Sequence, residues 1–181
     1  MIKAARLDQE FFVVITLKGK VFRLAKRIQK MIADHYQIYN GSPYPELHVT
    51  LDRINKNKVD LALETIKNIV SSIEKINIKI SELNCMEINR GQKLLVIDVE
   101  NTPSLVSLAQ KIHHELYRKN ISTVDNYEDW DFHVTVFNND FATNPVTEDE
   151  FSEICYLLED FEVPFNSYAD KLEIWRPSLD P

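Results

Sequence analysis

Two short stretches, Leu47-His48-Val49-Thr50-Leu51 and Phe132-His133-Val134-Thr135-Val136, say most about how this chain folds. In each, apolar and polar residues alternate, and a period of two is the mark of a strand with one face against a core. Residues i and i+2 of a strand share a face, so His48 points with Thr50 and His133 with Thr135. Val49, Leu51, Val134 and Val136 turn the other way. The two histidines lie 85 residues apart (133 − 48).

The order of elements around the two stretches is the same. Ahead of the first, Phe11–Leu17 (FFVVITL) is β-branched and aromatic and reads as a buried strand. Apolar residues at Val21, Leu24, Ala25, Ile28, Ile32 and Tyr36 then give an amphipathic helix, stopped by Asn40-Gly41-Ser42-Pro43. The first motif strand covers Leu47–Ile54; Val59–Ile73 is helical by period, and Ile76–Ile88 is a strand or bent ribbon. The order then restarts: a strand at Leu94–Val99, a helix at Pro103–Tyr117 with Thr102 as N-cap, and the second motif strand at Phe132–Phe137. A helix at Thr147–Leu158 with a capping-box pattern (Thr147, Glu150) and a strand at Leu172–Trp175 complete it. Each half reads strand, helix, strand, helix, strand, with no low-complexity linker between. The expectation is an α/β (α+β) chain forming one two-lobed domain over residues 1–181, with half-repeats at about 10–90 and 91–181. Its pseudosymmetric lobes would each carry a mainly antiparallel sheet and two helices around a central cleft.

Charge narrows the ligand. The net charge is −7, but residues 1–60 hold 11 basic against 6 acidic residues, whereas residues 121–181 hold 2 against 15. Long nucleic acid is disfavoured, because phosphate neutralisation dominates such affinity and the last third repels it. A small nucleotide or an RNA terminus fits, and DNA is not expected as a partner. Cys85 and Cys155 are the only cysteines, far apart and outside any CxxC or Cys/His cluster, so neither a disulfide nor a zinc site is expected. With no run of about 18 apolar residues, no membrane partner is expected either. A reduced, cytoplasmic setting and a monomeric protein are the expectation.

A lone strand histidine is most often a packed, hydrogen-bonded residue. Two of five histidines with Ser or Thr at +2 and apolar neighbours at −1, +1 and +3 is a chance on the order of one in a thousand at average residue usage. The pair resembles the 2H phosphoesterase superfamily, whose hallmark is two H-x-(T/S)-apolar motifs, one per lobe of a pseudosymmetric α/β fold. Here they stand as His48-Val49-Thr50-Leu51 and His133-Val134-Thr135-Val136. Many 2′-5′ RNA ligase-like members carry a Phe two residues after the apolar position of the first motif, where this chain has Asp52-Arg53.

The resemblance implies a metal-independent phosphoesterase acting on a 2′,3′-cyclic phosphate or a 2′-5′ phosphodiester, with His48 and His133 as general acid and base. Chemistry agrees. One imidazole removes a proton from the nucleophile and the other delivers one to the leaving oxygen, while Thr50 and Thr135 donate hydrogen bonds to the phosphoryl oxygens. No HExxH, zinc spacing or glycine-rich phosphate loop occurs among the 3 glycines, so neither metal nor cofactor is expected. Alternatives are a non-catalytic module that holds a phosphate end, the reverse 2′-5′ RNA ligase reaction, and an interaction scaffold.

Secondary candidates follow from position. Tyr44 ahead of the first motif, and Tyr127 with Trp130 ahead of the second, are aromatic platforms on which a base would stack, set against a packing role. Strand parity puts Asp52 with Thr50 and Phe137 with Thr135, and Arg53 on the wrong face for the phosphate. Asp125, Glu128, Asp129 and Asp131 crowd the approach to His133 and favour it as proton donor. The basic residues between Lys18 and Lys30 read as a solvated helix face, and neither His35 nor His113-His114 carries a ligand pattern.

Overall fold

A computed structural model describes residues 5–40, 44–70, 76–88, 92–159 and 165–177. The first half holds β1 (Glu10–Lys18), α1 (Lys20–His35), β2 (His48–Asn55), α2 (Val59–Val70) and β3 (Ile76–Ile88). The second holds β4 (Gln92–Val99), α3 (Pro103–Arg118), β5 (His133–Asn138), α4 (Glu148–Leu158) and β6 (Phe165–Trp175). This is the repeated order expected from periodicity, in an α+β fold. Local chemistry sets the helix starts. Thr102 accepts from Leu105 N–H ahead of Pro103, and Thr147 with Glu150 forms the expected capping box on α4. Strand β6 begins seven residues before its expected start. Its polar segment pairs with β3 (Asn77 with Tyr168, Lys79 with Asn166), so a neighbouring strand supplies backbone partners where alternation gives no signal. Of the turn at Asn40–Pro43, Asn40 adopts a left-handed φ of 41°, and Gly41–Pro43 lie outside the described residues, as does the end of the second helix at 71–73.

The six strands close into one barrel in the order β1-β2-β5-β4-β3-β6, each paired antiparallel with its neighbours. The lobes are thus halves of a continuous sheet. Exchanging β1 with β4, β2 with β5 and β3 with β6 leaves this order unchanged, which is a twofold symmetry of topology. Between β2 and β5 the paired residues are Val49 and Val134, which are 85 residues apart like the two histidines, so the symmetry axis passes through the motif strands.

Both motif strands bulge at the same place. Val13 pairs with Asp52 but Val14 with Thr50, leaving Leu51 as the extra residue; Leu95 pairs with Phe137 but Val96 with Thr135, leaving Val136. A bulge of one residue reverses the alternation beyond it. The expected parity of Asp52, Arg53 and Phe137 is therefore corrected: Asp52 and Phe137 turn to the face opposite Thr50 and Thr135, and Arg53 turns onto the face of Thr50. Asp52 is fully buried, Phe137 packs on Phe151 of α4, and Arg53 pairs with Glu10 at 3.6 Å.

One sheet face carries Val13, Ile15, Val49, Leu95, Ile97 and Val134, which join the apolar sides of the helices in the main core. The helices repeat with an offset of 84: Val21, Ala25, Ile28 and Ile32 of α1 match Leu105, Ala109, Ile112 and Leu116 of α3, all buried. The cysteine expectation is overturned on this side. Cys85, paired with Leu95 and so on the helix face, is disulfide-bonded to Cys155 of α4 with Cα atoms 5.9 Å apart. A separation of 70 residues hid a contact that only the packing of α4 on β3 creates. Among the described residues no helix is long and apolar enough to cross a membrane.

Candidate active site

The register at Val49 and Val134 decides where the motif side chains go. In an antiparallel ladder the residues flanking a pair point to the opposite face, so with Val49 and Val134 in the core, His48, Thr50, His133 and Thr135 share the other face. Continuing the register of that pair sets His48 across from Thr135 and Thr50 across from His133. Regular pairing puts the two histidines diagonal to one another, about 7–8 Å apart with their Cβ atoms somewhat closer. All four side chains are half-buried.

Each imidazole is anchored the same way. His48 Nδ1 lies 2.8 Å from the carbonyl oxygen of Glu46, and the ring of His133 hydrogen-bonds to the backbone of Asp131. A carbonyl only accepts, so Nδ1 of His48 carries the proton and Nε2 is left for other partners. Burial holds both imidazoles below the ordinary 6.5, opposed in each case by that backbone bond. The positive charge of His133 lowers His48 further, while Asp98 and Asp131 push His133 up. Of the four carboxylates expected to act on His133, Asp131 is among its main influences; the other, Asp98, comes from β4.

The bulges expose carbonyls that ordinary ladder bonds leave unfilled, and side chains from elsewhere fill them. The Tyr127 hydroxyl donates to Leu51 O at 2.6 Å and Trp130 Nε1 to Thr50 O at 3.1 Å. On the other strand, Gln29 Nε2 of α1 donates to Val136 O at 3.1 Å, and it also donates to Pro45 O, ahead of β2, at 3.0 Å. Burial pushes the Tyr127 hydroxyl far up, with Asp52 adding to it, so it remains a donor. One face of Tyr127 stacks on His113 at 3.9 Å, and Arg53 lies over Trp130 at 5.5 Å. Both aromatics expected as base platforms thus anchor the first motif strand. Tyr44, the third, donates to Asp34 at 2.6 Å and meets Tyr39 edge-on at 5.5 Å.

Sequence reasoning missed several neighbours. His113, given no role, accompanies Asp52 at 3.0 Å, and Ser122 donates to the same carboxylate at 2.7 Å. Trp175 of β6 meets His48 edge-on at 5.0 Å and donates to Glu173 at 3.1 Å. Its strand partner is Phe12, whose place on the sheet follows from register alone. Among the described residues no group of three or more His, Cys, Asp or Glu side chains is arranged to hold a metal ion.

Comparison with protein families agrees with this geometry. The description "AKAP7 2'5' RNA ligase-like domain" names the family whose model matches residues 11–169, from β1 into β6. The chain belongs to this family. It is thereby a member of the 2H phosphoesterase superfamily. The match spans both half-repeats, as a two-motif fold requires. Comparison with curated proteins gives no match.

Proposed function

We propose that this 2H protein is a metal-independent phosphoesterase acting on a 2′,3′-cyclic phosphate or a 2′-5′ phosphodiester of a small nucleotide or RNA terminus. The observation that carries the reading is the Val49–Val134 register, with two histidines and two threonines on one half-buried patch. A phosphoryl group seated there has an imidazole toward each end of an in-line displacement. One ring takes the proton of the attacking hydroxyl or water as the new P–O bond forms; the other protonates the departing oxygen as the old bond breaks. Thr50 and Thr135 hydroxyls donate to the non-bridging oxygens, where charge builds in the transition state. The half-burial of the patch strengthens these hydrogen bonds relative to water. DNA lacks the 2′-oxygen that both substrate types require.

The test is turnover of nucleoside 2′,3′-cyclic phosphates and 2′-5′-linked dinucleotides in EDTA. The reading expects product, and its loss in His48→Ala and His133→Ala. Tight binding of the same compounds without product would instead identify a phosphate-end binding module. Ligation is the same reaction reversed, and a 5′-hydroxyl RNA with a 2′,3′-cyclic phosphate partner assays it.

A further inference from the structure

The two histidines have equivalent backbones but unequal neighbours. Their loop partners match: Glu46 and Asp131 sit two residues ahead of the respective histidines, each accepts a ring N–H on its backbone, and each carries a carboxylate. The cross-strand partners do not match. His48 pairs with Thr16 of β1, whereas His133 pairs with Asp98 of β4. Thr16 and Asp98 occupy corresponding places, since Val14 and Ile15 stand to Thr50 and Val49 as Val96 and Ile97 stand to Thr135 and Val134. Directly opposed residues of an antiparallel pair have Cβ atoms about 4.5–5.5 Å apart, close enough for an opposite-charge contact. Asp98 is also held: Asn84 of β3, paired with Val96 and thus on the same face, donates to its carboxylate and to Glu82.

We infer that Asp98, fixed by Asn84, is a positioning residue that assigns the proton roles, holding His133 as the general acid and leaving His48, opposite Thr16, as the general base. The inference rests on the two-histidine reading of the site. Its logic is cancellation. Glu46 and Asp131 each raise their own histidine and Arg53 is paired with Glu10, so the unmatched carboxylate directly opposite a histidine is that of Asp98. The remaining groups on this face are Thr50 across from His133, Arg53 three residues beyond Thr50 and paired with Glu10, Trp175 and its partner Glu173 beside His48, and Glu82 behind Asn84. Glu173 pairs with Val14, one strand beyond the pairing of Val14 with Thr50, and so is not opposite His48. An imidazolium gains from a facing carboxylate and a general acid must be protonated before transfer; a general base must be neutral.

Asp98→Asn tests this, because asparagine keeps the shape and the acceptor for Asn84 while removing the charge. In ligand-free protein, NMR titration of the imidazole protons is expected to show the His133 midpoint falling by about one pH unit, with the His48 midpoint moving far less. In the rate profile, the alkaline limb, which reports loss of the acid's proton, moves to lower pH by a similar amount and the acid limb stays. Thr16→Asp, which puts a carboxylate opposite His48, is expected to raise the His48 midpoint; it decides the matter should the first variant not fold. A shift of His48 instead of His133 in Asp98→Asn, an acid limb that moves in place of the alkaline one, or no change in either titration would overturn the assignment. The titrations need no substrate, so a protein inactive on every phosphodiester would refute the enzyme reading while the effect of Asp98 on His133 is still read directly. Substrates with a bridging sulfur leaving group add a check on role. Such a group leaves without protonation, so it is expected to restore turnover in His133→Ala and not in His48→Ala, and the opposite pattern would reverse the roles.

Discussion

The halves of this molecule present the same backbone and different chemistry. In each, a motif strand bulges one residue after its threonine, and a side chain from another element caps the carbonyl of the bulged residue: Tyr127 for Leu51, Gln29 for Val136. Just beyond the bulge the halves part. Asp52 is buried in a polar set with His113 and Ser122, whereas Phe137, its counterpart, is buried against Phe151. On the site face the divergence is Thr16 against Asp98. The comparison teaches that symmetry builds the histidine–threonine patch and asymmetry differentiates its groups. A duplicated strand delivers two equivalent imidazoles, and its neighbours make them unequal.

The largest expected effect breaks the symmetric part. His48→Ala and His133→Ala are each expected to lower kcat on a cyclic phosphodiester by about 10²–10⁴-fold, measured at saturating substrate. In the proposed mechanism each supplies a different proton transfer, so the loss is expected from either half alone.

The next contrast concerns stability. Phe137→Ala removes a buried aromatic side chain and is expected to cost about 3–5 kcal/mol, read as a fall in denaturation midpoint. Asp52→Ala leaves Ser122, His113 and the Arg53 N–H without their carboxylate and is expected to cost less, about 1–3 kcal/mol. Equal costs would mean that the polar set of the first half stabilises as strongly as the apolar contact of the second. Thr50→Val and Thr135→Val sharpen the site itself. Losing one hydrogen bond to a charged oxygen is expected to lower kcat roughly 10–150-fold, with about equal effects if both hydroxyls face the same phosphate.

Much of this was legible in the residues, for a physical reason. A strand or helix with one buried face must write its period into the sequence, and the repeated pattern FFVVITL, V-x-x-LA-x-x-I, LHVTL against LLVIDV, L-x-x-LA-x-x-I, FHVTV carries the fold and its symmetry. The polar Thr16 and Asp98, each following an apolar run, write the asymmetry into the sequence. What stayed hidden depends on pairing. A bulge is a property of two strands, so the reversal of Asp52, Arg53 and Phe137 cannot be read from one. Trp175 reaches His48 through the register of β6 on β1, and Cys85 reaches Cys155 through the packing of α4.

The smallest expected effect is on the pH dependence of stability. Burial lowers both imidazoles below 6.5, so the native state binds fewer protons there than the unfolded chain. Their contribution is fully present above pH 6.5 and is lost as pH falls through the native midpoints. Thermal midpoints are expected to drop on acidification across that window, and less steeply in His48→Asn. Bound phosphate is expected to flatten the drop, since an anion favours the charged rings.

The most direct measurement follows both imidazoles by NMR while inorganic phosphate is added to the ligand-free protein. One shared anion requires the His48 and His133 signals to move together with a single dissociation constant, and the His133 response to weaken sharply in His48→Ala. Separate dissociation constants, or a His133 response that His48→Ala leaves intact, would mean that the rings serve different sites and that no common phosphate lies between them.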